Sequence, residues 1–263
     1  MEDKSRELII KVKSYTPWNA EVWEILLPQL ETLVQTPLTR LDERDPARRK
    51  VDGSKGQGAY ISGFRDRVSS VQPSGEFGKS GVWFMLKNRR WPSQIENSMS
   101  FFIPQIAATK LGLETVEAIF DALRRELSPF YQVCDVEVTV NCRKPSLPYT
   151  VLHHSYELSG VYWLTYFGPK YRAFFGDERF DGLPHEWTED GGVKLKLGED
   201  PWSLDDAKRR ATERALGELT FASYGENKKE FEHVIPWPEL LEGDWIAEYQ
   251  RREAAGIKPW EFG

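Results

Sequence analysis

The residues of this 263-residue chain that could do chemistry fall into a few short groups. Gly78-Lys79-Ser80 imitates the end of a phosphate-binding loop, in which backbone N–H groups and a lysine cradle phosphates. That motif needs a glycine five positions earlier, where Pro73 stands, and a helix afterwards. Val82-Trp83-Phe84-Met85-Leu86 reads instead as a strand, so the segment is expected to be a hairpin loop. His153-His154 with Cys142 invites a metal-site reading. Adjacent residues on an extended chain point to opposite sides, and no CxxC, HxxxH or facial carboxylate partner lies nearby. No metal is expected. His185 and His233 stand apart from any recognisable Ser or Cys nucleophile motif. Asp135 and Glu137 could serve an enzyme of unfamiliar type, but two apart on one strand face they are expected to meet solvent. The pairs Pro17-Trp18, Trp91-Pro92, Pro201-Trp202, Trp237-Pro238 and Pro259-Trp260 could line an aromatic pocket for a small molecule. Large aromatics more often bury irregular connections against a core. No catalytic residue and no cofactor are expected.

Charge distribution carries a stronger signal. Ten acidic residues lie between Asp177 and Asp206 against three basic ones, an excess of seven negative charges, while the whole chain carries −6. Asp177, Glu178, Asp181, Glu186, Glu189, Asp190, Glu199 and Asp200 are the expected partner-binding residues, an acidic patch that recruits a basic protein by electrostatic steering. The plain alternative is a solvated face around a loop and a hairpin. The net negative charge argues against nucleic acid as a partner, because phosphate contacts reward Lys and Arg.

Composition bounds the rest. Hydrophobic residues at 40% and charged residues at 29% are those of a soluble globular chain. No apolar run approaches the roughly 20 residues of a membrane helix, so no membrane partner is expected. Met1-Glu2-Asp3-Lys4-Ser5-Arg6-Glu7 lacks the apolar core of a signal peptide. Two cysteines, Cys134 and Cys142, make no disulfide framework, and the cytoplasm is the expected compartment.

The element that must hold these features together is Gly160-Val161-Tyr162-Trp163-Leu164-Thr165-Tyr166-Phe167-Gly168-Pro169. Alternation puts Val161, Trp163, Thr165 and Phe167 on one face and Tyr162, Leu164 and Tyr166 on the other, with no polar face for water. A central strand buried on both sides is expected. Leu8, Ile10 and Val12 read as a first strand. Thr16-Pro17 reads as the start of a helix carrying Val22, Trp23, Leu26, Leu27, Leu30, Leu33 and Val34, which Pro28 should bend or divide. Residues 37–58 read as a long charged connection. Strands are expected at 59–65, 81–87, 98–103 and 133–140. The clearest helix places Leu113, Val116, Ile119, Phe120, Leu123 and Leu127 inward, with Glu114, Glu117, Asp121, Arg124 and Arg125 outward. Val193, Leu195 and Leu197 form a strand after the Asp190-Gly191-Gly192 turn, and a last helix opens at Ser203 with Leu204, Ala207, Ala211 and Ala215 inward. The sum is an α+β fold, a mixed, mostly antiparallel sheet or sheets with about three helices packed on it. Residues 1–219 form the domain, and 220–263 an extension packing on it.

This order of pieces resembles the bacterial polymorphic-toxin immunity proteins, in particular the immunity protein 52 family. The match lies in the strand block Gly81–Leu86 and Ser98–Pro104, the helix leading to Ser128-Pro129-Phe130, a Val-rich strand, and Gly160-x-x-Trp163-Leu164-Thr165-Tyr166. It continues through the strand at 192–197 and the final helix, whereas 37–58 and 220–263 depart from the family pattern. The resemblance implies a non-enzymatic cytoplasmic inhibitor that binds one cognate basic toxin domain, one to one. Family members are associated with restriction-endonuclease-like nuclease toxins delivered by contact-dependent or type VI secretion systems.

Overall fold

The computed structural model describes residues 6–16, 18–43, 45–63, 73–87, 97–142, 158–217 and 220–221, with short stretches between 246 and 256. Nine strands form a single antiparallel sheet: β1 (Glu7–Ser14), β2 (Leu38–Asp42), β3 (Ser74–Phe77), β4 (Val82–Lys87), β5 (Asn97–Pro104), β6 (Tyr131–Val136), β7 (Leu164–Phe167), β8 (His185–Trp187) and β9 (Val193–Lys196). Their spatial order is β2-β3-β4-β5-β1-β6-β7-β9-β8. β1 lies at the centre, with Ile10 opposite Phe101 of β5 and Cys134 of β6. Period-two alternation then sends Leu8, Ile10 and Val12 to one face and Ile9 to the other. On the first face pack α1 (Ala20–Val34) and α4 (Leu113–Leu127), through Trp23, Leu26, Leu30, Ile119, Phe120 and Leu123. The second face buries Tyr162, Phe167, Tyr171, Phe175, Phe180 and Phe221. Gly78-Lys79-Ser80 is the expected hairpin turn, where Ser80 Oγ donates to the Phe77 carbonyl and accepts from Val82 N–H.

The α+β class stands, but the described residues hold seven α-helices rather than about three. The four additional ones are α2 (Gly58–Ser62), α3 (Gln105–Leu111), α5 (Glu137–Cys142) and α6 (Pro169–Phe175). Each is at most seven residues long, too short to display a full apolar stripe. α2 replaces the strand expected from residue 59. It sits against α1 because Gly58 has no side chain: a Cβ there would overlap the Ala20 carbonyl. α5 cuts short the strand expected over 133–140, since the ladder with β1 ends at Val136.

Two helix starts also differ. The cap of α1 is Asn19, whose Oδ1 accepts from Val22 N–H at 3.1 Å, and the helix runs through Pro28 undivided. α7 (Asp206–Leu216) is capped by Asp205, and its buried face is Arg209, Thr212, Glu213 and Leu216. Ala207, Ala211 and Ala215 face solvent, the reverse of the expected orientation. The connection at 37–58 is structured at both ends. Glu31 Oε1 accepts from Leu38 N–H at 2.7 Å and Oε2 accepts from Ser54 Oγ at 2.5 Å, while Glu24 accepts from Gly58 N–H at 2.7 Å. The extension at 220–263 lies largely outside the described residues, although Phe221 is buried against Phe167 and Phe175.

The run at 160–167 is fully buried on both sides, as expected, but only Leu164–Phe167 is strand. Before it, side chains stand in for the missing ladder. Val161 N–H donates to Glu213 Oε1 (2.7 Å), Tyr162 N–H to Thr165 Oγ1 (2.8 Å), and Trp163 N–H to Asp135 Oδ2 (2.9 Å). An unpaired buried amide costs about as much as a lost hydrogen bond, so each of these carboxylates and hydroxyls is needed where it is. The irregular backbone also breaks the alternation. Trp163 joins Leu164 and Tyr166 on the α1–α4 side, while Tyr162 joins Val161 and Phe167 on the other.

Candidate functional site

The acidic segment folds into a 3-10 turn (Asp177–Phe180), the hairpin β8–β9 at one end of the sheet, and a second 3-10 turn (Pro201–Ser203) that contacts β6. β8 and β9 pair with Glu186 opposite Lys194 and Trp187 opposite Val193. Because side chains alternate across a strand, this register puts Glu186 and Lys194 on one face and Trp187 and Val193 on the other.

On the α4 side, the carboxylates meet cations. Glu189 and Asp190 converge on the buried Arg124 guanidinium at 2.9 and 2.6 Å. Lys194 bridges Asp121 (2.9 Å) and Glu186 (3.3 Å), and Lys196 bridges Glu117 (2.8 Å) and Glu199 (3.0 Å). Of the polar stripe of α4 expected in water, Glu114 and Arg125 are exposed, whereas Glu117, Asp121 and Arg124 meet the hairpin and its flanks, and Arg124 is buried. Hydrogen bonding from Arg124 holds the Glu189 carboxyl below its ordinary value. Burial pushes Asp190 up, but Thr188 Oγ1, the Gly192 N–H and Arg124 outweigh it and leave the carboxyl low. Arg124 itself is desolvated, yet its two carboxylate partners raise its pKa.

On the opposite face, Asp177 forms a two-pronged pair with Arg172, both oxygens at 2.8 Å, and the guanidinium lies 4.0 Å over the Trp187 ring. That hydrogen-bonded pair lowers the Asp177 pKa and raises that of Arg172. Glu178 and Asp181 are exposed there, with no ion pair among the described residues. Asp200 faces neither group: it caps the second 3-10 turn by accepting from Trp202 N–H at 2.9 Å. The eight predicted residues therefore do not form one patch.

Asp135 corrects a second expectation. It is fully buried, and Arg209 holds it through contacts of 2.7 to 3.0 Å while it also accepts from Trp163 N–H. Burial raises its pKa against the lowering effect of Arg209. Glu137 has left the strand and opens α5. His153 and His154 lie outside the described residues, as does the Cys142 side chain. Among the described residues, no group of three or more His, Cys, Asp or Glu side chains could hold a metal ion. Nor is any helix among them long and apolar enough to cross a membrane. Of the tryptophans in the Pro-Trp pairs, Trp18 is core and Trp202 packs partly against it, while Trp91, Trp237 and Trp260 lie outside the described residues. A groove of about 430 Å³ between α1 and α4 is lined by Gln29, Thr32, Leu33, Asp121 and Arg125 with two alanines, and by no aromatic ring.

Sequence reading missed Arg124, Arg172 and Trp187. The spacing of Arg124 from Glu117 and Asp121 marks a charged helix face but is silent on what covers it. Trp187 carried a usable signal, a bulky ring just before an Asp-Gly-Gly turn.

No protein-family model matches the chain, and no curated protein matches it. Among solved structures, the chain is similar to the Pseudomonas aeruginosa type VI secretion system (T6SS) protein PA0821. The TM-score is 0.57 and the sequence identity 16%, covering 98% of this chain and 89% of that one. The likeness is one of fold.

Proposed function

We propose that this chain is an immunity protein of a type VI secretion system, which binds a cognate nuclease toxin one to one and blocks it. The observation that carries the reading is a fold shared along nearly the whole chain with a T6SS protein. The order of elements that resembles the immunity protein 52 family agrees with it. A nuclease must present a basic face to phosphates, and an acidic inhibitor surface can occupy that face. Asp177, Glu178 and Asp181 supply outward charge on one side of the sheet end, and Glu186, Glu189 and Glu199 keep well-exposed carboxylates on the other. The partner contacts are polar and steered rather than catalytic, and the compartment is the cytoplasm, where the toxin would act.

The experiment is co-expression with the product of the adjoining reading frame, first tested alone for toxicity to the host cell. Growth should be restored by this chain, and the two proteins should elute together in equal amounts. Failure of this chain to restore growth, with no complex between the purified proteins, would sink the reading.

A further inference from the structure

Trp187 is the residue at the sheet end whose exposure is least expected. The residue is 41% exposed, on β8, an edge strand of the sheet. A free tryptophan at an edge would normally be mobile, yet this one is held from several sides. Arg172 lies 4.0 Å over the ring, His185 meets it edge-on at 4.5 Å, and Phe180 meets it at 5.6 Å. Each support is itself fixed. Arg172 is locked by both Asp177 oxygens and donates to the Gly191 carbonyl at 3.3 Å. His185 Nδ1 lies 3.1 Å from the Leu183 carbonyl, and Phe180 is fully buried. A ring ordered in advance loses little entropy when a partner covers it. Tryptophan and arginine are also the residue types that dominate protein interfaces energetically. Beside it, Asp177, Glu178 and Asp181 are exposed on the adjacent 3-10 turn and the residue that ends it; Asp177 is paired with Arg172 and Arg179 donates to the Leu216 carbonyl, so Glu178 and Asp181 are the acids with no ion pair among the described residues.

We propose that Trp187, propped by Arg172 and His185, is the anchor of a docking surface for a basic protein partner, with Asp177, Glu178 and Asp181 as its steering rim. This rests on the inhibitor reading and narrows it to one face of the β8–β9 hairpin. The carboxylates on the α4 side are paired with Arg124, Lys194 and Lys196, whereas Glu178 and Asp181 have no ion pair among the described residues. The partner presents Lys or Arg to the rim and covers the ring, where a cation can also lie on its open face.

The test uses the full chain and the toxic protein that it neutralises in the co-expression experiment, separated from the complex in denaturant and refolded. Trp187→Ala should speed dissociation by about tenfold or more, the behaviour of an interface anchor. Trp187→Lys should weaken the complex further, because it sets like charge against a basic partner. Glu178→Lys with Asp181→Lys should chiefly slow association. In the unmodified complex, the amides of 185–187 should become protected from hydrogen exchange, a readout that does not depend on any variant folding. If the parent complex forms, but Trp187→Ala dissociates at the parent rate and 185–187 gain no protection, this docking surface is wrong while the inhibitor reading stands. If the parent forms no complex, both fall. If the parent instead self-associates and Trp187→Ala abolishes that, the face belongs to a second copy of this chain, and the proposal is overturned.

Discussion

Asp135 and Arg209 show how much of the stability of this chain hangs on single buried groups. The pair is solvent-free, and Asp135 also satisfies the amide of Trp163. Removing one partner leaves an uncompensated buried charge, so Arg209→Met should cost about 3–5 kcal/mol in a denaturant titration. Arg209→Met with Asp135→Asn should recover part of that loss; a double variant no better than the single one would show that the charge pair is not the cause. Trp163 is a simpler case. It is fully buried, its Nε1 donates to the Gly198 carbonyl at 2.8 Å, and Trp163→Ala should cost about 3–5 kcal/mol. A melting temperature equal to the parent's would contradict its burial. Glu7 works in the opposite direction. Burial first, then repulsion from Glu137, raises its pKa above the ordinary carboxyl value. A raised carboxyl pKa adds stability below the unfolded value and loses it as pH rises through the folded value. At neutral pH the ionised side chain therefore destabilises the fold. Glu7→Gln should melt higher than the parent at pH 7, with the gap closing as pH falls to about 4.

At the level of elements, the helix α4 is doubly employed. Its apolar face packs on β1 and α1, and its charged face ties the β8–β9 hairpin to the domain through Arg124, Asp121 and Glu117. Glu189 and Asp190 have depressed pKa values there. The sign is now the usual carboxylate one: the contribution is present above the unfolded pKa and is lost as pH falls through the folded one. The parent should therefore lose stability below about pH 4.5, and Arg124→Met should lose less over that interval because its carboxylates are no longer held low. Parallel acid-denaturation curves for the two proteins would refute the tie. The fold supplies the reason for such a tie, since β8 has only three residues and a neighbour on one side.

For the molecule as a whole, charge must be counted in space rather than along the chain. The acidic segment has an excess of seven in sequence, but Arg124 and Arg172 enter it from other elements. Reversal of Glu186, Glu189 and Asp190 to Lys should therefore lower stability as well as slow association, because it sets like charges against Lys194 and Arg124. Reversal of Glu178 and Asp181 should leave the melting curve close to the parent's and slow association alone, and raising salt should slow the parent toward the same rate. Equal melting curves for the two reversals would mean that the α4-side pairs contribute nothing to the fold.

What the sequence determined alone is what local repetition can encode. The stripes of α1 and α4, the alternation of β1, β4 and β5, the hairpin turns and the burial of the 160–167 run all follow from side chains a few positions apart, whose geometry is set by a period of 3.6 or 2. The α+β class follows from their order. Tertiary structure decided the rest, because each remaining feature depends on residues distant in sequence. Asp135 is a core residue only because Arg209 arrives on α7, and Trp163 can leave the ladder only because Asp135 receives its amide. α7 turns Arg209 and Glu213 inward against their local preference, since that buried segment needs a cation and an acceptor. The acidic segment is split in the same way. Its composition is local, but which carboxylates stay free depends on α4 and α6 lying where they do, and no spacing along the chain records that distance.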